Sequence, residues 1–384
     1  MSALLIKKAK ILGGRGIEEG SVADLLIDGE GYIADIGRGL EAPEGVSIID
    51  GEGSYVSPGW IDLHTHVYYG GTDLSIQPSE VGPSTGVHVL ADAGSAGEAN
   101  FIGFRDYVIQ RHDFPIVSYL NVGSIGLVKT NHISELSGYK SFDIDNILKR
   151  VDDNREFIRG IKVRASHVIL RDWGITPVKV AKKVAQLAHL PLVVHVGEVP
   201  PLLEEILPVL SEGDLVTHCY HGKLGGSIIV DSAVMDCVKD AVERGVLLDV
   251  GHGGASFSFP VAKIALQEGL APFSISTDLH VFNVQGPVWD LATTMSKMLA
   301  VGLPLQDVIE AVTTKPAGFL GLEQYGHIEI GSKANFTLFH LLDKDLVAHD
   351  SQGNQLRLER FIQPWLVVRG TQTRKAASRN PAIK

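Results

Sequence analysis

His64 and His66 stand two apart, just after the turn signal Pro58-Gly59 and two and four residues beyond Asp62. The run from Trp60 to Val67 alternates as a β-strand does, and on a strand residues two apart share a face at a spacing of roughly 6.6 Å. Two imidazoles so placed can reach one metal ion. With 15 histidines in 384 residues one such pair by chance is unsurprising, so the reading depends on what the rest of the chain adds. In Gly160-Ile161-Lys162-Val163-Arg164, alternation sends Ile161 and Val163 outward and Lys162 and Arg164 inward. An inward ammonium costs several kcal/mol unless a carboxylate or a chemical modification accounts for it. Leu192-Val193-Val194-His195 and Leu215-Val216-Thr217-His218 are apolar runs that each end in a histidine, and Phe273-Ser274-Ile275-Ser276-Thr277 leads into Asp278. A single histidine on such a strand is ordinarily a core residue, and a single aspartate a helix cap. The repetition favours metal ligation.

Strands must position these groups. Apolar strand-like runs alternate with amphipathic, helix-like stretches, the pattern of βα units: Trp60 to Val67, Val87 to Asp92, Pro115 to Asn121, Gly160 to Ala165, Leu192 to Val196, Leu215 to His218, Val246 to Val250 and Phe273 to Thr277. Eight such units predict a parallel (β/α)8 barrel, whose chemistry sits at the C-terminal strand ends. The gaps between His66, Lys162, His195, His218 and Asp278 accommodate three, one, one and two βα units, placing ligands on strands one, four, five, six and eight. Short alternating segments before the barrel, Leu4 to Ile6, Ala23 to Ile27, Tyr32 to Ile36 and Ser47 to Asp50, pair with a strand, glycine turn and strand in Gly326 to Phe339. Residues 1–55 and 325–384 are thus expected to form a small β-sandwich beside a barrel of residues 56–324, with Arg374 to Lys384 a mobile polar tail.

Pro58-Gly59-Trp60-Ile61-Asp62-Leu63-His64-Thr65-His66 resembles the first-strand signature of the amidohydrolase superfamily, metal-dependent hydrolases on a (β/α)8 barrel, and the ligand positions are similar to those of its binuclear subtype. The resemblance implies that Lys162 is carboxylated by CO2 into an anionic carbamate bridging two metals. His64, His66 and Asp278 would hold one ion and His195 and His218 the other. Zn2+, two per subunit, suits these donors, with Mn2+, Fe2+ and Co2+ as alternatives. A hydroxide between the metals would attack the substrate, and Asp278 would carry its proton to the leaving group. Arg164, His221 and His252 are candidates to bind substrate, and Glu198, Tyr220 and His280 also lie near strand ends. Cys219 points away by alternation and reads as core.

Along nearly its whole length the chain resembles a group of amidohydrolases often labelled dihydroorotase by similarity, whose members are associated with removing acetyl groups from α-substituted carboxylates such as O-acetyl-(R)-mandelate. A dihydroorotase carries an arginine shortly after the histidine pair, where Val67-Tyr68-Tyr69 stands here. A mononuclear nucleobase deaminase, such as an adenine deaminase, is the other alternative, since His195-Val196-Gly197-Glu198 resembles the His-x-Gly-Glu of adenosine deaminase-type enzymes, with Glu198 as proton donor, and Lys162 argues against it. A barrel that lost its metals is disfavoured because every ligand position is filled. The net charge of −11 and pI near 5.7 argue against nucleic-acid or anionic-membrane partners and leave a small carboxylate substrate, with a homo-oligomer open. Only two cysteines, Cys219 and Cys237, and no leader or membrane-spanning pattern near Met1 to Gly14 point to a reducing, cytoplasmic compartment.

Overall fold

Seven parallel strands in chain order, Trp60–Thr65, Val87–Asp92, Ile116–Asn121, Ile158–Ala165, Leu192–Val196, Leu215–Thr217 and Leu247–Asp249, curl into one sheet in the computed structural model, which describes residues 3–130 and 132–383. Buried on both faces, these strands read as near-continuous apolar runs, as parallel sheets require. The eighth segment is not a regular strand. Ser274 bridges Asp249 and Leu279 bridges Thr65, so Phe273 to Thr277 closes the barrel through isolated pairings. The serines, the threonine and the left-handed Asp278 along this segment spend their backbone and side chains on neighbouring carboxylates and turns instead of a ladder.

Outward Ile161 and Val163 join the main core, where they share a cluster with Val178, Ala181 and Val184 of the helix Thr176–Ala188. Inward Val193 and Leu215 belong to a second cluster with Ile61, Leu63, Val89 and Tyr119. Pairing of the first two strands slips between Asp62 and Thr65. Because of that slip, Leu63 packs into the second cluster while His64, the next residue, reaches the site. Strict alternation would have separated them, and bulges of this kind often re-aim a side chain beside an active site.

Both chain ends contribute to one eight-stranded, mostly antiparallel sheet. Its path runs Gln372–Lys375, Gln355–Arg369, Asn335–His349, Tyr55–Pro58, Leu4–Ile11, Val22–Ile27 and Ile33–Gly37, with Ser47–Asp50 on Leu4–Ile11. A separate core of Leu4, Ile6, Leu25, Phe336, Leu338 and Val368 holds it together. The long hairpin also grips the barrel, since Ile362 N–H donates to Ser296 Oγ (3.0 Å) on the helix Leu291–Val301.

The C-terminal segment is not the mobile tail that its polarity suggests. Arg374 and Lys375 finish a strand, and buried Ser378 donates through Oγ to Asp290 Oδ2 (2.6 Å), which also accepts the Arg379 N–H (2.5 Å). Lys384 lies outside the described residues. The other oxygen of Asp290 accepts Thr293 N–H at 2.7 Å and caps the helix Leu291–Val301. One carboxylate therefore caps a helix and anchors the chain end. Asp290→Ala should cost about 1–2 kcal/mol from the lost cap alone, read as a lowered thermal midpoint with faster proteolysis after Lys375. An unchanged midpoint would show that neither contact stabilises the fold.

Candidate metal centre

The barrel brings His64, His66, Lys162, His195, His218 and Asp278 to the C-terminal ends of its strands. Asp278 Oδ1 lies 3.4 Å from His64 Nε2 and 3.1 Å from His66 Nε2. The His64 and His218 rings are 4.8 Å apart and those of His195 and His218 4.4 Å. Ligand atoms of His64, His218 and Asp278 all fall within 4.8 Å of one another, close enough for a shared ion. Lys162 is buried among them, and its Nζ has no hydrogen-bond partner among the described residues.

Backbone strain marks the same spot. His218 (φ 71°) and Asp278 (φ 52°) occupy the left-handed region, which residues with a Cβ seldom adopt. Two glycines make room. A Cβ on Gly94 (φ +87°) would lie 2.7 Å from Lys162 Cγ, and one on Gly253 (φ +55°) would lie 2.6 Å from Asp278 Oδ2.

Burial sets the protonation states. It drives His64 and His195 well below the usual imidazole range and His218 down to about 3. It also pushes the Lys162 amine down to about 7, against the pull of Asp278 and Asp249. For Asp278 burial acts upward, but the contact with His66 and the nearby His218 and His280 outweigh it and keep the carboxyl ionised. Neutral imidazoles, an ionised carboxylate and an amine that is easily neutral are the forms in which such groups bind divalent transition metals. The donor set fits a divalent metal ion at His64, His218 and Asp278, and Lys162 would need one more anionic group to serve as a ligand beside it.

Hydroxyls and buried carboxylates behind the ligands fix their tautomers. Asp249 Oδ2 accepts from Thr217 Oγ1 (2.7 Å) and Ser276 Oγ (2.6 Å), and Oδ1 from Ser274 Oγ (2.6 Å). With its hydrogen committed to Asp249, Thr217 Oγ1 accepts from His64 Nδ1 at 2.8 Å, leaving Nε2 for a metal. His218 Nδ1 donates to the Gly251 carbonyl (2.6 Å), with the same result. His66 Nδ1 is 2.9 Å from Ser95 Oγ, and Ser95 N–H is held by Asp92 (2.7 Å). Asp62 accepts from Thr277 Oγ1 (2.6 Å) and N–H (3.1 Å), tying the first strand to the eighth segment. Of this supporting layer the sequence singled out only Asp62, although an aspartate, Asp249, inside the apolar run Val246 to Val250 was a visible signal.

The expected substrate-binding residues fare unequally. Arg164 Nε and Nη2 are committed to the buried Glu135 at 2.6 and 2.7 Å, so its fork holds the loop that carries Glu135. His252 is buried, its Nδ1 donating to the Gly253 carbonyl (2.9 Å) and its Nε2 accepting from Lys297 Nζ (2.8 Å). Both nitrogens are thereby used. His221 Nδ1 accepts the Lys223 N–H (3.0 Å), and its buried Nε2 has no partner among the described residues. Lys223, which the sequence did not single out, ion-pairs with Glu198 at 2.8 Å, and its Nζ would meet a Cβ on Gly197 at 3.2 Å, beside His195. Ser166 Oγ donates to the other Glu198 oxygen (2.5 Å). Cys219 is buried, its Sγ donating to the Val216 carbonyl.

The amidohydrolase family pattern matches residues 254–363. A deacetylase of Agrobacterium fabrum is 50% identical over 98% of this chain and 92% of its own length. A crystal structure described as a dihydroorotase superposes with a TM-score of 0.93 at 48% identity, covering 99% of this chain and 100% of that one. One described as an adenine deaminase gives 0.89 at 34% identity, over 98% and 100%. The chain belongs to the amidohydrolase superfamily, in its dihydroorotase-like group, and is a hydrolase.

Because, among the described residues, Thr217 Oγ1 is the only hydroxyl that bridges His64 to Asp249, Thr217→Val should free the imidazole without a large change in volume. Metal affinity, measured by chelator competition, is expected to fall about 10–100-fold. Unaltered affinity would mean that His64 is oriented by packing alone.

Proposed function

We propose that this hydrolase removes an acyl group, foremost acetyl, from an ester or amide of a small α-substituted carboxylic acid, using two metal ions bridged by carboxylated Lys162. The observation that carries the reading is the buried, unpartnered Lys162 amine ringed by His64, His195, His218 and Asp278. A neutral amine attacks CO2 and releases a proton, giving a carbamate whose two oxygens supply the anionic group that the donor set lacks. His64, His66 and Asp278 would hold one ion, His195 and His218 the other, and the carbamate both. When bound, the metals would acidify water from a pKa of about 15.7 toward roughly 7 and polarise the substrate carbonyl.

The chain's own groups do the rest. Asp278, ionised and facing the cluster, accepts the proton of the attacking water at a carboxylate oxygen and passes it to the departing oxygen or nitrogen. Lys223 replaces Arg164 as the holder of the substrate carboxylate, because its amine lies beside His195 and is held by one carboxylate oxygen of Glu198, whereas Nε and Nη2 of the Arg164 fork are both taken by Glu135. The unpartnered His221 Nε2–H can donate to the same substrate.

Competing readings have support in the dihydroorotase and adenine deaminase descriptions of the two structural neighbours. Glu198 weighs against deamination here. Burial acts to raise its carboxyl, but Lys223 and Ser166 bring it down to about 2, and both of its oxygens are committed to these two partners. The relative named deacetylase supports acyl hydrolysis.

A panel of O-acetyl α-hydroxy acids including acetyl-(R)-mandelate, N-acetyl-D- and N-acetyl-L-amino acids, dihydroorotate and adenine tests the reading on metal-reconstituted enzyme. Acylated acids should be turned over fastest. Lys223→Met should raise KM for them about 10-fold or more, as loss of a charge-assisted contact of ~1.5–3 kcal/mol implies, with a smaller change in kcat. Faster release of ammonia from adenine, or faster dihydroorotate hydrolysis, would replace this reading with one of its competitors.

A further inference from the structure

Away from the metal centre, a cavity of about 350 Å³ lies between the helix Leu291–Val301, the hairpin of Asn335–His349 with Gln355–Arg369, and the anchored C-terminal segment. Leu346, Leu358, Trp289 and Pro381 give it apolar walls. Two polar residues one helical turn apart, Thr293 and Lys297, line the same space, and each is 1% exposed. Thr293 Oγ1 is buried with no hydrogen-bond partner among the described residues. Lys297 Nζ donates to the Pro287 carbonyl (2.7 Å) and to His252 Nε2 (2.8 Å), both neutral acceptors, and its third donor meets no acceptor among the described residues.

No carboxylate of the described residues reaches the Lys297 amine directly. Lys297 forms no ion pair among the described residues. Asp290 and Asp350 act on its amine, but their oxygens are committed elsewhere, Asp290 to the helix cap and chain end, Asp350 to Phe259 N–H, Gln352 N–H and Asn354. Burial pushes the Lys297 amine down to about 7. A buried ammonium without an anion is costly, and an orphaned hydroxyl beside it adds to the cost. An anion entering the cavity would satisfy both groups, and the walls call for an apolar body behind it. The volume sits at the small end of the ligand-site range of about 300–1,000 Å³.

We propose that this cavity is a second ligand site, taking a small monocarboxylate with an apolar body, its carboxylate between Lys297 Nζ and Thr293 Oγ1. The same amine holds His252, whose neighbour Gly253 packs against Asp278, so an occupant of the cavity touches the residue that braces the loop beside the catalytic carboxylate.

The test is titration of 4-fluorobenzoate into the metal-loaded enzyme, followed by calorimetry and 19F NMR. One saturable binding event should persist in Asp278→Asn and weaken at least about 10-fold in Lys297→Met, the scale of a lost hydrogen bond to a charged group. Thr293→Val removes only a hydroxyl and should weaken the same event about 3-fold or more, which keeps the assignment open to test if Lys297→Met fails to fold. Equal affinity in the wild type and these two variants, absence of saturable binding, or binding that disappears in Asp278→Asn would each overturn the proposal.

Discussion

A primary amine buried among three imidazoles and a carboxylate, with no hydrogen bond to any of the described residues, is the constraint around which this barrel is arranged. As a cation, Lys162 would repel metal ions and resist desolvation. Under the proposed function the neutral amine would attack CO2 and the carbamate would invert its charge. An anionic bridge of that kind would account for the surrounding ligands as a set, with the buried, neutral His64, His195 and His218 among the other donors. Nothing about the strand Ile158–Ala165 alone favours a lysine there. The register does, since it sets Lys162 opposite Val193 on one side and opposite Asn121, the last residue of the strand Ile116–Asn121, on the other.

Holding that arrangement requires strain and support in separate layers. His218 and Asp278 take left-handed backbone conformations, and Gly94 and Gly253 leave no room for even a methyl group beside Lys162 and Asp278. Such strain persists only where the surroundings over-determine it. The Asp249 and Asp62 networks, buried and saturated by hydroxyl and backbone donors, provide that determination. The site is also rigid on its far side, where the Arg164–Glu135 pair and the Lys297–His252 contact fasten loops to the barrel.

Much of this was legible in the chain. Alternation placed Lys162 inward and Ile161 and Val163 against helices, and seven of eight strand segments lie within a few residues of their expected bounds. The two-residue spacing of His64 and His66 survived a register slip that simple alternation does not anticipate. Long-range pairing was less visible. Arg164 looked like a carboxylate receptor because its partner Glu135 is distant in sequence, and Lys223 went unnoticed because a loop lysine has no periodicity to betray it. His252 offered a plausible position at a strand end, but its direction is set by Lys297, from a helix after the barrel closes. The anchored chain end was misread for the same reason, as its polar residues meet Asp290 only in three dimensions.

The claim on which the account rests is chemical, that Lys162 acts as an anionic bridge between two ions. Anomalous diffraction from crystals of the metal-reconstituted, active enzyme, paired with elemental analysis of the same preparation, addresses it directly. Two ions per chain are expected, with continuous density extending Lys162 Nζ into a planar carboxylate group that contacts both. A single ion in fully active enzyme, with an unmodified Lys162 side chain, would contradict it.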